Sequence, residues 1–128
     1  MALPTRLKNW GHKVWNGADE LERDTFATDT DQIRIVKYES VRGLEGWTVV
    51  CLDLDKFFSR QMMTGLAADR DALVTAEEAA TTYASQWALI PMTRAVDTLV
   101  LQIRDESPFS RALLRTQEFC QDFCEIIQ

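Results

Sequence analysis

Apolar and polar residues alternate along this chain in a way that predicts several β-strands. Ile33 to Tyr38 alternates between the two classes, as expected for a half-buried strand. Trp47 to Leu54 is nearly continuous in apolar residues, which is typical of a strand buried on both faces of a parallel sheet. Shorter apolar runs predict a strand over Thr98 to Ile103 and permit one at Lys13 to Trp15.

Helical spacing follows two of these strands. A short helix is predicted from Lys56 to Leu66, and a longer, alanine-rich helix over Ala76 to Ala95. Thr75 and Glu78 form a capping-box pattern at the start of the longer helix. Pro91 should kink or end this helix, because proline has no backbone N–H to donate.

The last predicted helix begins at Ser107-Pro108, a serine N-cap followed by a proline at the first helical position. It is predicted to run towards Ile127. Its candidate core contacts are Phe109, Leu113, Phe119 and Phe123.

The order strand, strand, helix, strand, helix predicts an α/β fold with a parallel sheet flanked by helices. Residues 1–31 are interpreted as an irregular segment joined to a domain over residues 32–128, with loops at 16–31 and 67–74. A chain of 128 residues has the length of one domain and can bury a sizeable core.

Composition places the chain among ordinary water-soluble proteins, with 46% hydrophobic and 27% charged residues. No apolar run approaches the roughly 20 residues that span a bilayer, and the first residues lack the apolar core of a secretory signal. We therefore expect a cytoplasmic protein with no membrane partner. The net charge of −6 argues against a free-standing nucleic-acid binder, because neutralisation of phosphates dominates such binding.

The three cysteines are expected to pack rather than to bind metal. Cys51 lies in an apolar run and should be a small buried side chain. Cys120 and Cys124 are four residues apart, on one face of the last predicted helix, and should contribute to the core. A zinc site needs about four ligands, and His12 is the only histidine.

The first segment with candidate chemistry is Tyr38-Glu39-Ser40-Val41-Arg42-Gly43-Leu44-Glu45, between two predicted strands. Turns that follow strands are where α/β proteins present groups to ligands. Gly43 would let the backbone approach a phosphate or ribose, Arg42 could meet a phosphate, and Glu45 could accept from a sugar hydroxyl. A solvated turn with an Arg–Glu pair fits the same residues, and the residues alone favour that interpretation.

The second segment, Leu89-Ile90-Pro91-Met92-Thr93-Arg94-Ala95, leads into the strand predicted at Thr98 to Ile103. An arginine among apolar residues is costly unless an anion meets it. Glu45 or Asp97 would suffice as a structural partner of Arg94, and a bound anion would suffice as a functional one.

Together these two segments resemble motifs V and VI of UvrD-like superfamily 1 DNA helicases. That family shows a strand, His-Ser-x-Lys-Gly-Leu-Glu and an apolar strand, where this chain has Glu39-Ser40-Val41-Arg42-Gly43-Leu44-Glu45. The family then shows a helix ending in Tyr-Val-Ala-x-Thr-Arg-Ala before a strand, where this chain has Leu89 to Ala95. Order and spacing agree over about residues 33–104.

The resemblance implies a RecA-like, P-loop NTPase-like fold and the C-terminal one of two domains that close on ATP. Arg94 would be the arginine finger that reaches the γ-phosphate. Ser40 would lie near a phosphate of single-stranded DNA. Four further residues would bind the nucleotide: Arg42, Gly43, Glu45 and Thr93.

The sequence contains no Gly-x-x-x-x-Gly-Lys-Ser/Thr phosphate loop, and no acidic pair beside one to hold Mg²⁺. The resemblance therefore assigns the P-loop and Mg²⁺ to a partner, an N-terminal RecA-like domain. The isolated chain is predicted to be inactive, and the complete protein to be an ATP-dependent DNA helicase.

Two other functions stay open. Asp53 and Asp55, two apart at a strand end, could hold Mg²⁺ for nucleotidyl transfer. They resemble the first metal motif of lesion-bypass polymerases and, loosely, that of diguanylate cyclases, but the second acidic motif of those families does not occur in the sequence. The residues favour a structural interpretation, in which the two acids cap the strand end and start the next helix. A non-enzymatic protein-interaction domain derived from a helicase is the other alternative, mainly because the ATPase site is incomplete; the acidic last helix and the four tryptophans could contact a partner.

Overall fold

A computed structural model describes residues 2–25, 27–68, 74–104 and 106–127. The chain divides into two units, Met1–Gly43 and Leu44–Gln128, each with its own two-stranded parallel sheet flanked by helices. The α/β class and the parallel strand pairing predicted from the sequence are therefore present. No helix among the described residues is long and apolar enough to cross a membrane.

In the first unit, β1 (Val14–Asn16) pairs in parallel with β2 (Ile33–Ile35). Helix α1 (Leu3–Asn9) precedes β1, and the one-turn helix α2 (Glu20–Arg23) lies in the segment predicted to be a loop. The short strand permitted near Trp15 is confirmed. β2 is shorter than predicted, because the chain turns into a 3-10 helix at Tyr38–Ser40.

The second unit contains β3 (Gly46–Cys51), α3 (Leu54–Ala67), α4 (Ala76–Met92), β4 (Ala95–Leu101) and α5 (Pro108–Phe119). β3 and β4 are parallel neighbours. Of these elements, α3, α4, β4 and α5 each overlap a helix or strand predicted from the sequence. The predicted loop at 67–74 lies largely outside the described residues, which resume at 74.

Both long helices after α3 start where the sequence predicted. At α4 the Thr75 hydroxyl accepts from the backbone N–H of Glu78, and the Glu78 carboxylate accepts from the backbone N–H of Thr75. At α5 Ser107 is the N-cap and Pro108 the first helical residue. These caps satisfy N–H groups that the first turn of a helix cannot pair internally.

Close approach of α3 and α4 forms the core of this unit. A Cβ atom built on Gly65 would lie 2.9 Å from the Cα atom of Ala80, so only glycine fits there without a shift. Leu54 and Phe57 of α3 are buried as well. The side of α4 that is buried consists of small residues and one proline: Ala79, Ala80, Ala84, Ala88 and Pro91.

The prediction that β3 is buried on both faces is wrong. Cys51 is buried as expected, but Trp47 is 71% exposed and Val50 54% exposed. Val50 pairs with Val100 of β4, which is also exposed. No described residue of the unit buries these two valines.

The predicted end of the last helix is also wrong. α5 ends at Phe119, and Phe119 and Phe123 are 87% and 93% exposed instead of packing in the core. Cys120 caps the helix and Cys124 lies beyond it, exposed, so the two cysteines do not share a helix face in the core. The amino-terminal part of α5 does pack, because Phe109 stacks on Phe58 of α3 with 4.1 Å between ring centroids.

Replacing Gly65 by leucine tests the helix contact. The added side chain meets the backbone of Ala80, so we expect Gly65→Leu to lower the free energy of unfolding by about 1–3 kcal/mol or more. Thr64→Leu, at the exposed neighbouring position, should change it by less than about 0.5 kcal/mol. Urea unfolding followed by circular dichroism measures both, and equal effects would contradict the close contact.

The capping box of α4 makes stability depend on pH. Donation from the Thr75 hydroxyl and then from its backbone N–H lowers the pKa of Glu78 below its ordinary value of 4.5. This contribution is therefore complete above pH 4.5 and is lost as the pH falls through the lowered pKa. We expect wild type to exceed Glu78→Gln in stability at neutral pH and the difference to shrink in acid. Urea unfolding across this range checks the trend, and a difference that does not vary with pH would contradict it.

Candidate functional site

Arg94 lies in the turn between α4 and β4, and Pro91 determines where that turn falls. Pro91 is fully buried and lies in the last turn of α4, which ends one residue later. The N–H of Thr93 donates to Leu89 O (3.0 Å) and that of Arg94 to Pro91 O (3.2 Å). The predicted end of the helix at Pro91 is confirmed to within one residue, and it places Arg94 directly before the strand.

The guanidinium of Arg94 is held by neutral oxygens. Its Nε donates to Ile90 O and its Nη2 donates to Thr93 Oγ1, both at 3.2 Å. Within the described part of the chain, no carboxylate forms an ion pair with this half-buried side chain. Of the two structural partners considered from the sequence, Asp97 accepts from Thr98 Oγ1 instead, and Glu45 is exposed.

Glu45 and Arg94 come together because their strands start side by side. The N–H of Gly46 donates to Arg94 O (3.0 Å), and Gly46 is in register with Ala95. Of the residues predicted to form the site, the second unit thus gathers Glu45, Thr93 and Arg94 at the amino-terminal ends of β3 and β4.

The remaining predicted residues lie in the first unit. Ser40 is exposed at the end of the 3-10 helix, and its backbone N–H donates to Lys37 O (2.9 Å). Arg42 is exposed too. Gly43 has φ of 77°, a conformation that other residues rarely adopt, and a Cβ atom there would meet no atom within 4 Å. Gly43 is thus required by the turn itself, with open space around it.

An exposed apolar pair beside Arg94 was not predicted. The register between β3 and β4 shifts after Gly46, so that Val96 and Asp97 together oppose Trp47. Trp47 and Val96 are 71% and 58% exposed. Such a shift is uncommon in a parallel pair, and nothing in the local sequence signals it.

The carboxyl-terminal ends of the same strands are joined by Asp53, Asp55 and Arg104. The guanidinium of Arg104 forms an ion pair with Asp53. Asp55 is 2% exposed, and its Oδ2 accepts from the backbone N–H of Arg104 at 3.2 Å. These contacts match the strand-capping interpretation of the two acids. Among the described residues, no group of three His, Cys, Asp or Glu side chains is arranged to hold a metal ion.

The sequence does not point to Arg104, since it lies 49 positions after Asp55 and no local pattern links the two residues.

Comparisons of the chain with known protein families, with curated proteins and with solved structures each found no match.

Asp53 is the one described residue other than glycine with a positive φ (53°), at the turn from β3 into α3. Asp53→Ala and Asp53→Gly both remove the ion pair with Arg104, which is partly exposed and contributes about 0–1 kcal/mol. Alanine also incurs the left-handed conformational cost of about 1–2 kcal/mol, which glycine avoids. We expect the glycine variant to be more stable by about 1 kcal/mol in urea unfolding. An alanine variant of equal or greater stability would contradict strain at this turn.

Proposed function

We propose that this chain is the C-terminal RecA-like domain of a UvrD-like superfamily 1 DNA helicase. In this proposal Arg94 is the arginine finger, and Thr93, Glu45, Arg42 and Gly43 contribute to the nucleotide site. A second, N-terminal RecA-like domain supplies the P-loop and Mg²⁺, and ATP binds between the two. Ser40 faces a phosphate of single-stranded DNA.

The observation that carries the proposal is the environment of Arg94. Its guanidinium has two neutral hydrogen-bond acceptors and no carboxylate partner among the described residues. A half-buried cation gains from an anion, and a guanidinium stays charged and can bind two phosphate oxygens at once. The contact with Thr93 restrains its direction, as is needed if it is to meet charge developing on a γ-phosphate.

The position of Arg94 at the amino-terminal ends of the strands is consistent with this role. In open α/β sheets a domain binds its own ligand beyond the carboxyl-terminal ends of its strands. In this chain those ends are occupied by the contacts of Asp53 and Asp55 with Arg104. A finger acts on a nucleotide held by another domain, so it can extend from the opposite end.

Exposure of Trp47 and Val96 beside Arg94 favours a second candidate, a protein-interaction domain derived from a helicase. Aromatic residues are enriched in protein interfaces. Arg94 would then bind a carboxylate of a protein partner instead of a phosphate. The two candidates differ in whether Arg94 affects the rate of a chemical step.

Removal of the guanidinium distinguishes them. In the complete helicase we expect Arg94→Ala to reduce ATP hydrolysis stimulated by single-stranded DNA on the order of 10³-fold or more, with thermal unfolding unchanged. Arg94→Lys should recover only part of the rate, because an ammonium cannot bind two oxygens in a planar fork.

Arg23→Ala, at an exposed position of the first unit, is the matched control and should keep the full rate. The isolated chain should not hydrolyse ATP. If Arg94→Ala keeps its rate, Arg94 has no role in the reaction, and the interaction domain becomes the better account.

A further inference from the structure

The protein binds the guanidinium of Arg94 along one of its edges. The two acceptors, Ile90 O for Nε and Thr93 Oγ1 for Nη2, are neighbours, because Thr93 Oγ1 lies 3.1 Å from Ile90 O. Nε and Nη2 carry N–H groups on the same side of the planar guanidinium, which is a fixed fork of donors. The Nε–Nη2 edge is therefore occupied by two adjacent oxygens at the end of α4.

A second edge of the same group, formed by Nη1 and Nη2, is left for a ligand. A guanidinium has five N–H donors, and the two contacts use one on Nε and one on Nη2. Nη1 has no acceptor among the described residues, and the side chain is half-buried. One N–H of Nη1 and one of Nη2 run parallel along this edge, so they can bind two oxygens of one phosphate or carboxylate at once.

The hydroxyl of Thr93 is fully used by the protein itself. Its one hydrogen is directed to the carbonyls of Leu89 and Ile90, at 3.0 and 3.1 Å. Its oxygen accepts from Nη2 of Arg94. No hydrogen remains for donation to a phosphate, so in this arrangement the hydroxyl can influence a bound nucleotide only through Arg94.

Helix α4 provides a rigid base for this arrangement. Leu89 and Ile90 lie in its last turn, where carbonyl groups have no partner within the helix. The partial negative charge at the carboxyl-terminal end of a helix also favours a cation there. Thr93 joins the guanidinium to this end of the helix and so restricts the directions that the side chain can take.

We propose that Thr93 is a positioning residue, which presents the Nη1–Nη2 edge of Arg94 to a ligand with two oxygens on one atom. The inference rests on the proposed function, in which that ligand is the γ-phosphate of ATP. It replaces the expected contact between Thr93 and the nucleotide by control of the arginine that makes the contact. Misplacement of a reacting group by about 1 Å can lower a rate on the order of 10²-fold.

Removal of the hydroxyl tests the role of Thr93 in the complete helicase. Thr93→Val keeps the shape of the side chain, and we expect kcat for ATP hydrolysis to fall on the order of 10- to 100-fold with little change in KM. Thr93→Ser should restore most of the rate, because it returns the hydroxyl. Thr82→Val is the matched control and should keep the full rate, since Thr82 Oγ1 makes the same kind of bond, to Glu78 O at 2.9 Å, without an arginine.

Combination with Arg94→Ala separates positioning from direct binding. If Thr93 acts only through Arg94, Thr93→Val should have no further effect once the guanidinium is gone. Single effects that multiply in the double variant would show that Thr93 contacts the nucleotide itself, and would overturn the inference. In an enzyme that needs Arg94, a Thr93→Val variant with the wild-type rate would overturn it too. Thermal unfolding shows whether each variant is folded.

NMR spectra of this chain without ATP distinguish failure of the inference from failure of the proposed function. We expect rotation of the Nη2 group of Arg94 to be slow in wild type and in Thr93→Ser, and fast in Thr93→Val. If Arg94→Ala keeps its ATPase rate while this difference is seen, the helicase proposal fails and the positioning of Arg94 by Thr93 is supported. Equal rotation in wild type and Thr93→Val overturns the inference, whatever the rates are.

Discussion

Parallel pairing of β3 with β4 is the constraint on which the second unit depends. Contacts between residues far apart in the sequence stabilise both ends of the pair. At the amino-terminal ends the Gly46 N–H donates to Arg94 O. At the carboxyl-terminal ends Arg104 forms an ion pair with Asp53 and donates its backbone N–H to Asp55. Without this pairing, the positions of Glu45 and Arg94 relative to each other would not be fixed. The covalent connection between the strands includes both α3 and α4, so the close contact of Gly65 with Ala80 also serves the site.

Local signals in the sequence predicted the elements of this unit well. The starts of α4 and α5 followed from Thr75 with Glu78 and from Ser107 with Pro108, because a cap is formed by residues within one turn. Pro91 likewise predicted the end of α4. The contacts of Arg104 could not be predicted, since an ion pair between distant residues leaves no local pattern.

Exposure was the part least predictable from the sequence. An apolar run such as Trp47 to Leu54 shows that a strand can be buried on both faces, but not that other elements cover them. The same holds for Phe119 and Phe123, whose helical spacing predicts core packing although their side chains are exposed. For Arg94, the sequence does not distinguish a structural role, in an ion pair, from a functional role, in binding an anion. The lack of a carboxylate beside it among the described residues is what the fold adds.

Helix α4 has a fixed length, because local signals determine both of its ends. The capping box at Thr75 sets its start, the buried Pro91 sets its end, and 17 residues lie between Ala76 and Met92 inclusive. Each residue of an α-helix advances the chain by about 1.5 Å and turns it by about 100°. Insertion of one residue between Thr75 and Pro91 would leave both end signals intact. It would rotate Arg94 by more than a quarter of a turn about the helix axis, relative to the buried alanines. The length of this helix, more than the identity of its exposed residues, therefore determines where Arg94 points.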